Sequence, residues 1–163
     1  WILRPRVVES LRHVAKAGFP FEFLTYTRHL PHVCKVLDMV PGLRAVVDHL
    51  SKPPIKAREL RPWKERMAEA ARHTNVLCKI SGMVTEADHA AWTPEDLKPY
   101  IDHVFESFGP DRVMYGSDWP VCLLAAPYDR VIGAVETVLG PRLDERQQEM
   151  LFGGNAQAFY RIR

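Results

Sequence analysis

A chain of 163 residues, 47% apolar and 26% charged, carries enough apolar material for one globular unit with a real core. Its formal charge of +2 arises from 22 basic and 20 acidic residues, interleaved along the sequence. That pattern argues against a nucleic-acid or membrane-surface binder, and no apolar run approaches the roughly 20 residues a membrane span needs.

In chain order, the sequence opens Trp1-Ile2-Leu3-Arg4-Pro5, with neither an initiating Met nor a signal-peptide pattern, and reads as the interior of a longer polypeptide. A helix is expected from Pro5, with Val8, Leu11 and Val14 on one face and Gly18 at its end. Residues 21–27, introduced by Pro20, are rich in aromatic and β-branched side chains and form the first expected strand. A helix follows with Val33, Val36, Leu37 and Val40 on its buried face, Pro31 in its first turn and Pro41-Gly42 as its stop. The second strand is expected over residues 44–49, and the next helix is marked by Trp63, Met67, Ala70 and Ala71. Residues 76–81 form the third strand. After it, Leu97, Ile101, Val104, Phe105 and Phe108 make a helical stripe in which Pro99 predicts a kink or a late start. The fourth strand spans residues 112–117, and a helix through Val131, Ile132, Val135 and Leu139 follows it. Two short helices around residues 145–151 and 156–160 close the chain.

Short apolar strands alternating with amphipathic helices specify an α/β fold: a parallel sheet covered by helices, either open and doubly wound or part of a closed barrel. No Gly-x-Gly-x-x-Gly or Gly-x-x-x-x-Gly-Lys segment follows any strand, which removes the main nucleotide-binding fingerprints. The cysteines, Cys34, Cys78 and Cys122, are odd in number, far apart and set among apolar residues. They are expected as small buried hydrophobes in a reducing, cytoplasmic setting.

Polar residues collect where each strand ends: Tyr26-Thr27-Arg28-His29, Asp48-His49-Leu50-Ser51-Lys52, Lys79-Ile80-Ser81-Gly82 and Gly116-Ser117-Asp118-Trp119-Pro120. In a parallel barrel those ends open onto one face, where active sites are built. Strand alternation turns Val76, Cys78 and Ile80 toward the helices and Leu77, Lys79 and Ser81 toward the lumen, where a lysine is costly without a partner or a role. Asp48, one residue before His49, is expected to face the opposite way in a structural ion pair. The histidines at 13, 73, 89 and 103 fall in helices or loops and read as structural or solvated.

The segments Thr25–Pro31, Val47–Pro54, Cys78–Gly82 and Tyr115–Val121, together with Leu151-Phe152-Gly153-Gly154-Asn155 near the end, resemble the amidohydrolase-related family, in its sugar-acid lactonase branch. The resemblance implies a (β/α)₈ barrel of which residues 1–163 supply the C-terminal part, about four βα units, with the N-terminal strands lying outside this chain. It implies a small-molecule lactone as substrate, with Asp118 handling the proton of the attacking water or leaving oxygen and His49 polarising the carbonyl or binding a metal. Arg28, His29, Lys79, Ser81 and Trp119 would shape the substrate site. For each there is a plainer role: a turn cap for Asp118, a hydrogen-bonded structural residue for His49, an exposed cation for Arg28, packing for Trp119. Metal use stays open: the wider superfamily often holds zinc or another divalent ion, while parts of this branch resemble metal-independent enzymes. The family's His-x-His pair is absent here, its nearest approach being His29 and His32. One His and one Asp are too few for a catalytic zinc, which takes three protein ligands. A metal-dependent decarboxylase on the same scaffold and an inactive interaction module are the alternatives, and a half-barrel with open edges is expected to self-associate.

Overall fold

The periodicities above resolve into four parallel strands in a computed structural model, which describes residues 1–162. The strands, β1 (Phe21–Phe23), β2 (Ala45–Val47), β3 (Val76–Ile80) and β4 (Val113–Tyr115), pair in chain order, with Phe23 opposite Val47, Val47 opposite Cys78 and Cys78 opposite Val113. Each is shorter than expected at its C-terminal end. After β2 the chain enters a tight 3₁₀ turn at once (Asp48–Ser51), and after β1 it does so three residues further on (Thr27–His29). The shortening therefore has the same cause as the site: these residues face the mouth of the sheet instead of continuing it.

Helices α1 (Pro5–Lys16), α2 (Leu30–Met39), α3 (Trp63–Ala71), α4 (Pro94–Phe108) and α5 (Tyr128–Leu139) alternate with the strands. The apolar stripes are the buried ones: Val8 and Leu11 on α1, Val33, Val36 and Leu37 on α2, Trp63, Met67 and Ala70 on α3. Helix α4 starts earlier than the Pro99 reading predicts and runs through that residue. Its start is fixed by Thr93 and Asp96, which cap each other's backbone N–H groups, and its apolar face (Leu97, Tyr100, Ile101, Val104, Phe108) is buried on both sides of Pro99. His103 on this helix is structural, its Nε2 lying 2.7 Å from the Lys64 carbonyl.

The helix-facing strand residues Ala45, Val47, Val76, Cys78, Ile80 and Val113 are fully buried with these stripes in one core. At about 1.5–3 kcal/mol for each large aliphatic side chain removed from water, this face provides most of the hydrophobic stabilisation. The three thiols are free and buried, and burial pushes the Cys34 thiol up to about 11 and Cys78 further in the same direction. They are unreactive packing residues.

The lumen side differs from expectation. A short helix α6 (Glu145–Glu149) leads through a π-helical turn into α7 (Asn155–Tyr160), which packs against the lumen face at the N-terminal ends of the strands. Phe159 joins Val46 and Met114 in a second apolar cluster, with Leu77, Ala156 and Tyr160 against it. Asn155 Nδ2 donates to the carbonyls of Pro110 and Val113, each at 2.7 Å, and the Arg44 guanidinium donates to the carbonyls of Gly18 and Phe159. Leu77 therefore has an opposing wall. At the sheet edges, β1 and β4 each pair with one neighbour among the described residues. No described helix is long and apolar enough to cross a membrane.

Candidate active site

The backbone beyond β2 is what aims His49. His49, Leu50, Ser51 and Lys52 have φ values of 50°, 51°, 56° and 48°, four consecutive non-glycine residues in the left-handed region. Such residues cost about 1–2 kcal/mol each, so the turn persists only because its surroundings hold it. The Lys52 N–H donates to the His49 carbonyl at 2.7 Å, and Trp63 Nε1–H donates to the Leu50 carbonyl at 2.7 Å. The Ser51 hydroxyl lies 2.7 Å from Thr25 Oγ1, and Lys52 Nζ lies 2.5 Å from Glu86 Oε1.

The turn swings the imidazole across β3. Nδ1 lies 2.7 Å from Ser81 Oγ, and Nε2 lies 3.6 Å from Asp118 Oδ1. Space for the ring is made by Gly82, at φ 59°, where a Cβ would stand 2.7 Å from both Cγ and Nδ1 of His49. Gly82→Ala is accordingly expected to push the ring off Ser81 and destabilise the protein by about 1–3 kcal/mol, measured by urea or thermal melts. A loss below about 0.5 kcal/mol would show that the ring has room to move. Asp118 reaches the same point from the end of β4, with its own φ at 59° and its carbonyl accepting the Cys122 N–H at 2.9 Å. At 3.6 Å the His49–Asp118 pair is too long for a hydrogen bond, so each group keeps capacity for a third partner.

Below this trio lies a charged floor. Asp48 does not face away from the site: because the left-handed turn begins at His49, both side chains reach the same side of the sheet. Lys79 Nζ is 2.7 Å from Asp48 Oδ1 and 3.2 Å from Glu22 Oε1, and the Tyr160 hydroxyl donates to Glu22. The structural ion pair expected of Asp48 is thus made with a residue of the candidate site. Burial alone would lower the Lys79 pKa, but the carboxylate of Asp48, with Tyr160 and Glu22 adding to it, drives it up, so the lysine stays charged. Burial raises Asp48, whereas at Glu22 the Tyr160, Asp48 and Lys79 interactions outweigh burial and lower the pKa. Gly116 lets this layer pack closely, since a Cβ there would meet Ser81 Cβ at 3.1 Å and Lys79 Cδ at 3.2 Å.

The structure thus joins His49, Ser81 and Asp118, with Lys79 one lumen position beneath. Arg28 and His29 sit apart, in the turn after β1. Arg28 lies 4.7 Å over the Tyr26 ring, and His29 Nδ1 accepts the Tyr26 N–H at 3.2 Å. His29 lines a cavity of about 710 Å³ with Leu3, Leu24, His32 and Val33, on the β1 side of the molecule and separate from His49 and Asp118. Arg28 lines a smaller cleft with Lys52 and Arg66. Trp119 is 64% exposed at the outer rim. Sequence reasoning did not single out Glu22, Thr25, Ser51, Gly82 or Tyr160. Glu22 carried a readable signal, a charge inside an otherwise apolar strand. The others depend on contacts between segments far apart in the chain.

Among the described residues no three His, Cys, Asp or Glu side chains are grouped to hold a metal ion. His49 and Asp118 offer two donors at most, one short of a catalytic zinc site, so the residues present do not fit that group and no step is assigned to it. The chain, dialysed against a chelator and then titrated with zinc, is expected to retain well under one equivalent. Stoichiometric retention would show that ligands lie elsewhere in the chain.

Comparison with known proteins bears on the family and the fold. L-fucono-1,5-lactonase of Burkholderia ambifaria is 37% identical over 166 residues, covering 99% of this chain and 55% of that protein. The L-fucono-1,5-lactonase of Burkholderia multivorans is 36% identical over 153 residues, covering 88% of this chain and 52% of its own. A crystal structure of an amidohydrolase from B. multivorans with bound zinc superposes with a TM-score of 0.94 at 32% identity, covering 98% of this chain and 58% of that one. The chain spans about half the length of the curated relatives it matches. Its four parallel βα units are therefore a portion of a TIM barrel, and the resemblance drawn from the strand-end motifs holds. The amidohydrolase family matches residues 1–162, and the chain belongs to that family.

Proposed function

We propose that the protein carrying this chain is a hydrolase that opens the lactone ring of a sugar acid or similar small polar molecule. The observation that carries this reading is the approach of His49 Nε2 to within 3.6 Å of Asp118 Oδ1 at the mouth of the sheet. It is supported by the 37% identity to a fuconolactonase.

A lactone carbonyl needs two things from a site: a base for the attacking water and a donor for the oxygen on which negative charge develops. Asp118 serves as the base. His49 serves as the donor in the tautomer that carries the ring proton on Nε2, with the Ser81 hydroxyl, 2.7 Å from Nδ1, as the donor to that nitrogen; this role requires that tautomer. Water adds to the carbonyl carbon and its proton passes to Asp118. The acyl–oxygen bond then breaks, the ring oxygen leaves with that proton, and the product is a hydroxy acid. Lys79, held between Asp48 and Glu22, forms the charge-neutralised floor on which Ser81 and Gly116 pack beneath the site. Arg28, His29 and Trp119, the first two set apart from His49 and Asp118 in this chain, would reach only the outer parts of a substrate, in a barrel completed by further βα units. Three buried free thiols suit a reducing, cytoplasmic setting.

Incubating the full-length protein with L-fucono-1,5-lactone in a pH-stat tests this directly. One equivalent of acid per lactone consumed, without carbon dioxide, is the expected result. Absence of turnover on sugar lactones, with carbon dioxide released from a carboxylate substrate, would replace this reading with a decarboxylase.

A further inference from the structure

We propose that Thr25 and Ser51 are positioning residues for His49, a pair of hydroxyls that fastens the end of β1 to the left-handed turn after β2. The kinetic part of its test rests on the lactonase reading; the spectroscopic part does not.

The β1–β2 ladder ends at Phe23 and Val47, and beyond it the two chains have no backbone pairing to keep them in step. The imidazole depends on the stretch that follows. Within it, Ser51 is fully buried and its hydroxyl meets Thr25 Oγ1 at 2.7 Å. The Thr27 hydroxyl adds long contacts, 3.4 Å each, to the Ser51 and Lys52 carbonyls. The other restraints act differently: Trp63 holds the Leu50 carbonyl against the helical layer, and the Lys52 N–H closes the turn on itself. Among these contacts, the Thr25–Ser51 pair is the shortest side-chain link from the turn to the segment that follows β1. Without it, a buried serine at φ 56° keeps an unpaired hydroxyl and an uncomfortable backbone, and both are relieved by rolling the turn. Gly82 fits so closely under the ring that a roll of the turn moves Nδ1 off Ser81 and Nε2 away from Asp118. Misplacing a catalytic group by about 1 Å can cost up to about 10²-fold in rate.

Thr25→Val keeps the shape and removes the hydroxyl, whereas Thr25→Ser keeps the hydroxyl. In the full-length protein, Thr25→Val and Ser51→Ala are each expected to lower kcat about tenfold with KM changed less than about threefold. Thr25→Ser should stay within about twofold of wild type, and the double variant Thr25→Val/Ser51→Ala should be no worse than either single change. In nitrogen-15 histidine spectra at fixed pH, the His49 resonances, assigned by their loss in His49→Asn, should move in Thr25→Val and Ser51→Ala but not in Thr25→Ser. If Thr25→Val does not fold, Ser51→Ala decides by the same spectra. Unmoved His49 resonances in the hydroxyl-less variants would overturn the proposal, as would a Thr25→Ser variant as impaired as Thr25→Val. A parent protein inactive on lactones would sink the functional reading while the imidazole spectra still decide this one.

Discussion

Asp118→Asn in the full-length protein should lower kcat on a fuconolactone-type substrate by at least about 10², the usual worth of a positioned acid–base group. Asparagine fills the same space at the end of β4 and can still hydrogen-bond to a water, but it cannot take the water's proton. The substitution therefore separates binding from chemistry, and KM should change little. The left-handed φ of 59° at this position favours the choice, since asparagine tolerates that conformation better than most residues. An alanine here would confound lost chemistry with backbone strain. If Asp118 were only a cap for the Trp119-Pro120 turn, the amide would replace the carboxylate with little effect. Turnover within threefold of wild type, about 0.7 kcal/mol of barrier, would return Asp118 to that structural role.

What could be read from the sequence was what depends on local periodicity. The parity of Val76, Cys78 and Ile80 against Leu77, Lys79 and Ser81 held because β3 is a true five-residue strand. The same rule misplaced Asp48 relative to His49, because alternation lapses once the backbone enters the left-handed turn, and nothing in His49-Leu50-Ser51-Lys52 announces four positive φ values. Helix α4 shows a propensity rule overridden: Pro99 argued for a break, but the Thr93–Asp96 cap and the continuous apolar face outweigh it. The strand-end motifs pointed to His49 and Asp118, and the structure brings Nε2 of one to 3.6 Å from Oδ1 of the other. They did not reveal that Lys79 would be held by Glu22 and Asp48, or that Tyr160, 138 residues from Glu22, would close the floor. Those contacts are properties of the folded sheet and α7 together rather than of any window of sequence.

Residues 1–163 expressed alone should show no measurable lactonase activity and should self-associate or bind a hydrophobic dye strongly. The expectation follows from what each side of the sheet lacks. The helical side is complete, with its core residues almost fully removed from water. The lumen side is covered by α7 only around Val46, Leu77 and Met114. Above that level, the group of His49, Ser81 and Asp118 has no opposite wall among the described residues to exclude water or orient a substrate. Beyond β1, Phe19 and Leu24 are exposed. Beyond β4, Trp119, Leu123 and Leu124 are exposed beside a strand edge whose backbone donors and acceptors have no partner strand on that side among the described residues. Apolar side chains next to open parallel edges attract a second copy, and pairing through them would recover both the hydrogen bonds and the burial. The α7 floor reduces the apolar area left open, so the isolated chain is expected to keep its helical content while losing monodispersity. Sedimentation showing a compact monomer, together with a sharp cooperative melt and weak dye binding, would contradict this. The four βα units would then be a self-sufficient folding unit, and the loss of activity alone would have to be attributed to missing catalytic groups.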